Sequence, residues 1–197
     1  FNKDLFDGIA AQLLCPFEYQ GIADIVDYEE ITWRNGKFDP NELANQLATR
    51  ARAMHNFRHW QIHHQTRTLA FCISKKHADF MADYFISQGI MAASVHSDSK
   101  VLRNEALTQL TEGSLQVIFS VDLFNEGVDL PSIDTVLMLR PTDSKIIFLQ
   151  QLGRGLRNSP ATDKKKLVVL DFIGNHISFF RKPEALFKLG VTNKERK

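Results

Sequence analysis

The sequence predicts an α/β fold: a parallel sheet of five or more strands with helices on both faces. From residue 67 onward, five short apolar runs alternate with segments in which apolar residues recur at helical spacing. The runs are apolar at nearly every position, which is typical of strands buried on both faces of a sheet. Helices between successive strands favour parallel pairing, because the chain must cross back over the sheet before the next strand begins. In such sheets, ligand-binding residues lie in the loops at the carboxyl ends of the strands.

The five predicted strands are the apolar runs at 68–74, 90–95, 115–121, 135–140 and 166–173. The helix after the first strand ends at Gly89. Ser97 and Asp98 can cap a second helix, which extends from about residue 99 to 111 and is closed by Gly113. Two further predicted helices contain the segments IIFLQQLGR (146–154) and FFRKPEALFKLG (179–190).

The first 66 residues follow a different pattern. Residues 15–22 alternate in polarity and predict a strand, and a second strand is predicted at 27–33, before a turn at Asn35-Gly36. Pro40 opens one long helical stretch that extends to about His64. This helix could pack beside the main sheet or form a connecting arm. We therefore divide the chain into residues 1–66, a domain at 67–190 and a tail at 191–197.

The composition is that of an ordinary globular protein. Of the 197 residues, 44% are apolar and 24% are charged, and the net charge is +1, so any nucleic-acid surface has to be local. No run of about 18 apolar residues is present, which argues against a membrane partner. Cys72 lies in an apolar run that predicts a buried thiol, and neither cysteine has metal-binding spacing. We therefore expect a reducing, cytoplasmic setting, and a start at Phe1 without methionine indicates a piece of a longer polypeptide.

The chain lacks the phosphate loop of nucleotide-binding proteins. This loop has the form GxxxxGK[ST], but the only Gly-Lys pair, Gly36-Lys37, is followed by Phe38 and preceded at the required position by Ile31. No acidic cluster suited to Mg²⁺ is evident either. Gly153-Arg154-Gly155 lies late in a predicted helix, whereas a dinucleotide-binding loop lies between a strand and a helix, so a Rossmann site is not expected.

Three histidines are spaced for one face of a helix. His55, His59 and His63 are four residues apart, which would allow a metal site. The sequence has no HExxH motif, and Arg58 and Trp60 lie between the histidines. We therefore interpret them as a solvated or interface face and predict no metal site.

The stretch QQLGRGLRN, which begins at Gln150, is the strongest candidate site. On a helix, Gln150, Arg154 and Arg157 share one face. Gly153 and Gly155 flank Arg154 and remove side-chain bulk, which lets another surface come close. The two guanidinium groups offer fixed charge and planar donors suited to phosphate oxygens. The same residues would also suit a plain helix end, where glycine caps the helix and arginine interacts with its dipole.

This stretch is the last of three motifs that occur in order. TLAFCISKKHADFM begins at Thr68, and VIFSVDLFNEGVDLPSIDTVL begins at Val117. The last motif has the pattern Q-x-x-G-R-x-x-R, filled by Gln150, Gly153, Arg154 and Arg157. The set resembles motifs IV, V and the last motif of the second motor domain of superfamily 2 helicases and translocases. NEGVDLP and the opening glutamine are most similar to bacterial DNA helicases related to type III restriction subunits and excision-repair helicases.

The resemblance implies a RecA-like P-loop NTPase fold that binds ATP between two motor domains. The first domain of the same polypeptide would supply the phosphate loop and the Mg²⁺ ligands, which accounts for their absence from this chain. Arg154 and Arg157 would be arginine fingers at the γ-phosphate, oriented by Gln150. The nucleotide-binding residues would be Gly127, Asp129 and Gly153. Asp129 would accept hydrogen bonds from ribose hydroxyls. The sequence is also compatible with Asp129 as a plain loop carboxylate and with Gly127 as an ordinary turn glycine.

The resemblance also implies that nucleic acid crosses the carboxyl ends of the strands. The candidate contacts follow the first three predicted strands: Ser74, Lys75, His96, Ser97, Ser120 and Val121. Short hydroxyls and backbone amides can hold phosphates without reading sequence. The three serines are equally compatible with helix capping, and the run of lysines at 164–166 is interpreted as a solvated turn.

The implied function is the C-terminal motor domain of an ATP-dependent DNA helicase or translocase, with RNA as a possible substrate. Residues 1–66 would connect from the first motor domain, and this chain alone would not hydrolyse ATP. The alternative is a RecA-like module that binds nucleic acid or protein without an ATP cycle. A receiver-like signalling domain using Asp122 is disfavoured, because no carboxylate follows the first predicted strand.

Overall fold

The computed structural model describes residues 14–121, 132–141, 157, 159, 162 and 164–174. Within these residues the strands are β1 (Phe17–Ala23), β2 (Trp33–Arg34), β3 (Lys37–Phe38), β4 (Thr68–Phe71), β5 (Ala92–Val95), β6 (Val117–Ser120), β7 (Thr135–Met138) and β8 (Leu167–Ile173). Six of them form one parallel sheet in the order β1-β8-β7-β4-β6-β5. Strands β2 and β3 form a separate antiparallel hairpin.

The predicted α/β class is confirmed, and each of the five predicted strands is present. The strand predicted at 15–22 is also present, as β1. It belongs to the main sheet, where it pairs in parallel with β8 from Phe17–Leu167 to Ala23–Ile173. Part of the first 66 residues therefore completes the sheet, while the division of the chain at residue 66 stays a prediction.

Helices cover both faces of the sheet, as predicted. They are α1 (Pro40–Leu47), α2 (Arg50–His63), α3 (Lys75–Ser87) and α4 (Arg103–Glu112). Leu69 and Phe71 of β4 belong to a core cluster that includes Ala106 and Leu110 of α4. Ala70 belongs to a second cluster, which contains the apolar residues of α2 and α3. Because successive residues of a strand point to opposite faces, both core clusters require apolar residues, and β4 is buried at every position.

The single helical stretch predicted from Pro40 to about His64 is wrong in one respect: the chain forms two helices there. The backbone leaves the helical region at Ala48, with φ −91° and ψ 52°. Thr49 then caps α2, and its hydroxyl oxygen accepts a hydrogen bond from the Arg52 amide at 3.4 Å. Of the two arrangements left open by the sequence, the structure shows packing: α2 lies against β8 and α3.

The start predicted near residue 99 for the helix after β5 is wrong, because α4 begins at Arg103. Ser99 is used in a turn instead: its hydroxyl oxygen lies 2.9 Å from the His96 carbonyl oxygen and 3.0 Å from that of Val101. The predicted end is confirmed. Gly113 follows the helix with φ 85°, a left-handed conformation that glycine adopts without steric cost.

The strand predicted at 27–33 is mostly wrong, whereas the turn after it is confirmed. Tyr28–Glu30 forms a 3-10 helix, which is capped by Asp27 through a 3.0 Å hydrogen bond from the Glu29 amide. Only the last predicted residue enters β2. Asn35 and Gly36 connect β2 to β3 with φ values of 51° and 75°, as a tight hairpin turn requires.

Three other predictions concern single features. Cys72 is buried, as predicted, and so is Cys15. The predicted helices that contain residues 146–154 and 179–190 lie outside the described residues. In the part of the chain that the structure describes, no helix combines the length and apolar character needed to cross a bilayer.

Candidate nucleic-acid edge and arginine site

Three loops meet at the carboxyl edge of the sheet, the edge at which the parallel strands end. Strands β4, β6 and β5 are neighbours, and their last residues are in register: Phe71 with Ser120, and Val95 with Ser120. The predicted nucleic-acid contacts follow these ends. The structure therefore brings Ser74, Lys75, His96, Ser97, Ser120 and Val121 to one edge of the sheet.

Ser74 and Lys75 begin helix α3. The Ser74 hydroxyl oxygen caps the helix by accepting a hydrogen bond from the His77 amide at 3.2 Å. Lys75 is half-exposed, and its Nζ lies 2.6 Å from Oδ2 of Asp98, which is 69% exposed in its side chain. This ion pair joins the loop after β4 to the loop after β5.

His96 is buried at the base of the loop after β5. Its Nε2 lies 2.9 Å from Oδ1 of Asp79 on α3, and its Nδ1 accepts a hydrogen bond from the Asp98 amide at 3.2 Å. A ring whose Nδ1 accepts carries its proton on Nε2, so His96 donates to Asp79. Burial raises the pKa of Asp79, but hydrogen bonds from Ser94 and His96 outweigh that effect and hold its pKa below the usual value. The histidine therefore fixes the shape of the loop.

Ser97 lies at the exposed end of the same loop. Its hydroxyl donates to Oδ1 of Asp98 at 3.0 Å. The Asp98 carboxylate therefore accepts from Ser97 with one oxygen and from Lys75 with the other. These two contacts lower the pKa of Asp98, the hydrogen bond from Lys75 being the larger cause.

Ser120 and Val121 are less exposed than the other predicted contacts in the loops of this edge, Lys75 and Ser97. Ser120 is 1% exposed, and its carbonyl oxygen accepts a 2.8 Å hydrogen bond from the Cys72 amide. Its hydroxyl is buried without a hydrogen-bond partner among the residues that the structure describes. The Val121 amide lies 3.4 Å from the Val95 carbonyl oxygen. Side chains at this point of the edge are thus less accessible than Lys75 and Ser97.

Arg157 lies at the opposite, amino edge of the sheet. Its backbone forms an antiparallel bridge with Leu14, and its carbonyl oxygen accepts a 3.2 Å hydrogen bond from Nζ of Lys164. Leu14 and Lys164 lie shortly before β1 and β8 begin, which places Arg157 away from the three loops. Arg157 is exposed. The remaining predicted catalytic and nucleotide-binding residues lie outside the described residues: Gln150, Gly153, Arg154, Gly127 and Asp129.

The three spaced histidines lie on one face of α2, as their spacing predicts. The ring centres of His55 and His59 are 4.7 Å apart, and those of His59 and His63 are 6.4 Å apart. Burial, followed by the neighbouring His55 and His63, lowers the pKa of His59. His55 Nε2 lies 3.0 Å from the Ala23 carbonyl oxygen. Across the described ranges, no group of three His, Cys, Asp or Glu residues is placed to hold a metal ion.

Sequence reasoning missed Asp79 and considered Asp98 only as a helix cap. Asp79 lies one helical turn after Lys75 on α3, a spacing that puts both side chains on the face above the carboxyl edge. A sequence signal for Asp79 was therefore present. Its contact with His96, seventeen positions along the chain, requires the three-dimensional structure.

The six-stranded parallel sheet, covered on both faces, together with the ordered motifs, defines a RecA-like motor domain. The chain belongs to the helicase conserved C-terminal domain family, which matches residues 48–159. It is thus a C-terminal motor domain of the superfamily 2 helicase type.

Two curated relatives illustrate the similarity. The chain is 35% identical over 108 residues to IRC3 of Saccharomyces cerevisiae, whose name describes an ATP-dependent helicase, with 54% of this chain and 15% of the relative covered. It is 29% identical over 168 residues to the UvrABC system protein B of Bifidobacterium longum, with 82% of this chain and 21% of the relative covered. The chain therefore spans about a fifth or less of the length of these relatives.

Two solved structures share the fold. The C-terminal domain of the DEAD-box protein Dbp5 has a TM-score of 0.57 at 14% identity, covering 88% of this chain and 84% of that one. The type ISP restriction-modification enzyme LlaBIII has a TM-score of 0.65 at 14% identity, covering 96% of this chain and 15% of that one. At these identities, the likeness establishes the fold alone.

Proposed function

We propose that this chain is the second motor domain of an ATP-dependent DNA helicase or translocase. The observation that carries the proposal is that the full pattern Q-x-x-G-R-x-x-R lies inside the matched residues 48–159. The family match alone would also suit a domain that has lost its motor role. Retention of Gln150, Gly153, Arg154 and Arg157 favours a domain that still contacts ATP.

On the nucleotide side, Arg154 and Arg157 would neutralise charge on the transferring phosphoryl group, and Gln150 would orient them. Gly127, Asp129 and Gly153 would complete the contacts to ATP. Arg157 is exposed, which fits a guanidinium that serves an anion held largely by another domain. Bound ATP, with Mg²⁺ held by the first motor domain, supplies the phosphoanhydride bond whose cleavage drives the cycle.

On the nucleic-acid side, the exposed groups of the carboxyl edge would hold the phosphate backbone. Lys75 and Ser97 would contact phosphates through their side chains, whereas the buried His96 and Ser120 would contribute by shaping the loops and, with Val121, through backbone groups. DNA is the favoured partner, because NEGVDLP and the opening glutamine of the last motif are most similar to bacterial DNA helicases. Dbp5 is described as bound to RNA, so the experiment below also includes RNA.

Of the residues proposed for these two contacts, Arg157 lies at the amino edge of the sheet, whereas Lys75 and Ser97 lie at the carboxyl edge. Closure of the first motor domain on ATP would engage the arginines, and hydrolysis would release them. Because the carboxyl edge would hold the nucleic acid on the same domain, each closure would move the strand relative to the first domain.

The experiment compares ATP turnover by this chain alone with turnover by the polypeptide that also carries the first motor domain. Both are assayed with Mg²⁺ under four conditions: without nucleic acid, and with single-stranded DNA, duplex DNA or RNA added. We expect no turnover by the chain alone and DNA-stimulated turnover by the two-domain protein. Turnover by the chain alone, or none by the two-domain protein under any condition, would contradict the proposal; the second result would favour a binding module without an ATP cycle.

A further inference from the structure

The Asp98 carboxylate occupies the two donors that the proposed function assigns to a nucleic-acid phosphate. Its Oδ2 accepts from Nζ of Lys75 at 2.6 Å, and its Oδ1 accepts from the Ser97 hydroxyl at 3.0 Å. A phosphate group would use the same donors through two of its oxygens. The two carboxylate oxygens of Asp98 therefore take the places that two oxygens of a bound phosphate would take.

The surrounding loop is built to hold Asp98 in this place. The Asp98 amide donates to Nδ1 of His96, whose Nε2 is bound by Asp79 on α3. Ser94 also donates to Asp79, at 2.5 Å. Helix α3 therefore supplies both Lys75 and Asp79. Lys75 pairs with Asp98, and Asp79 anchors the loop that carries Asp98.

The charges at this point cancel while the ion pair is intact. Lys75 is cationic and Asp98 is anionic, and both side chains are substantially exposed, at 48% and 69%. A phosphate that approaches Lys75 meets a fixed negative charge on the same donors, so binding requires the carboxylate to leave. An exposed ion pair is weak because solvent screens the two charges, so this exchange is reversible.

We propose that Asp98 is an internal competitor for the phosphodiester backbone of nucleic acid: it holds Lys75 and Ser97 in a phosphate-binding arrangement and is displaced when a strand binds. The inference rests on the proposed function of the carboxyl edge and adds a residue that sets its affinity. Asp98 thereby keeps the domain from binding nucleic acid too tightly to release it in each cycle.

The test measures the affinity of this chain for a labelled single-stranded DNA by fluorescence anisotropy at several salt concentrations. Asp98→Asn keeps the shape of the side chain and removes its charge. We expect binding about fivefold tighter at about 50 mM salt, with the slope of log affinity against log salt steeper by about one. The gain should shrink about three- to fourfold by about 200 mM salt, since the counterion released at Lys75 is no longer offset by a cation that the displaced Asp98 carboxylate takes up.

Glu18→Gln is the matched control. Glu18 and Lys166 form an exposed ion pair of 2.5 Å at the amino edge, with side chains 40% and 46% exposed. This variant makes the same change in net charge at the opposite edge and should leave the affinity within about twofold. Equal gains in Glu18→Gln and Asp98→Asn would overturn the proposal in favour of a general charge effect.

Lys75→Gln, alone and combined with Asp98→Asn, separates the proposal from the function on which it rests. We expect the single variant to weaken binding and the combined variant to lose the gain from Asp98→Asn. If Lys75→Gln weakens binding but Asp98→Asn does not tighten it, the role of Asp98 is refuted and the nucleic-acid edge stands. If Lys75→Gln has no effect, both the edge and the role of Asp98 fail.

Discussion

Arg52 of helix α2 donates to both carboxylate oxygens of Asp24, at nitrogen–oxygen distances of 2.8–3.1 Å. Both side chains are at most 1% exposed. Arg52 also donates to the Leu139 carbonyl oxygen at 3.1 Å, and the Tyr28 hydroxyl donates to Asp24 at 2.8 Å. The ends of β1 and β7 are therefore joined to α2 by one buried ionic network, which links described residues before position 66 to the main sheet.

Asp24→Asn should destabilise the domain strongly. Removing one partner of a buried ion pair leaves an uncompensated charge, here the fully buried Arg52 guanidinium, at a cost of about 3–5 kcal/mol. Urea unfolding measures the free energy of unfolding. Glu18→Gln, which breaks an exposed pair, should cost at most about 1 kcal/mol. A loss in Asp24→Asn no larger than in this control would show that the buried network contributes little.

The contribution of Asp24 should depend on pH in one direction. Burial raises the pKa of Asp24, but the charge and hydrogen bonds of Arg52, with help from Tyr28, outweigh burial and hold its pKa below the usual value. A lowered pKa in the folded state gives stability that is fully present above the unfolded pKa of about 3.9 and is lost as the pH falls through the folded value. The difference in unfolding free energy between the wild type and Asp24→Asn should therefore be constant near neutral pH and shrink below about pH 4. A difference that grows with acidification is incompatible with this assignment.

Gly174→Ala should destabilise the domain because there is no room for a side chain. A Cβ at Gly174 would overlap the ring of Tyr28, which is buried and held by its hydrogen bond to Asp24. Overpacking of this kind costs about 1–3 kcal/mol. Gly21→Ala is the control, since its Cβ would lie 2.9 Å from the end of the flexible Ile173 side chain, which can move. Thermal unfolding should rank the variants in this order, and equal melting temperatures would contradict the packing described.

Asp79→Asn should weaken nucleic-acid binding although it removes a negative charge. The carboxylate anchors His96 and Ser94, so its loss releases the loop that carries Ser97. Because the Asp79 side chain is half-exposed, solvent screening weakens these hydrogen bonds, and we expect a loss of affinity of about three- to tenfold. Asp83→Asn removes an exposed charge one turn further along α3 and should bind equally or slightly more tightly. Tighter binding by both variants would mean that only charge matters at this edge.

The sheet could be predicted from the sequence because strands buried on both faces consist almost entirely of apolar residues, as Leu69–Phe71 of β4 do. The register and the order of the strands could not be predicted, since neither produces a local pattern in the sequence. The start of α4 was misplaced for a related reason: Ser97 and Asp98 are good capping residues, but tertiary contacts with Lys75 and His96 use them in a turn.

The candidate site could be predicted only as far as it depends on where the strands end in the sequence. The carboxyl ends of parallel strands meet at one edge, so the grouping of Lys75 with Ser97 followed from the predicted parallel pairing. The pairing of Lys75 with Asp98 and the burial of His96 and Ser120 depend on loop conformation, which single-residue patterns do not encode. The proposed function rests on motifs, and motifs identify residues without showing their partners.

The role of Arg157 is tested most directly by the rate of ATP hydrolysis in the two-domain protein with Arg157→Ala. An arginine finger is worth about 10³–10⁵ in rate, so kcat should fall by at least about a thousandfold while ATP affinity changes little. Arg67→Ala is the control, because that guanidinium donates to the Thr111 carbonyl oxygen at the amino edge and has no assigned contact with nucleotide. Turnover at the wild-type rate by Arg157→Ala, with Arg67→Ala equally active, would contradict the claim that this domain completes the ATP site with its arginines.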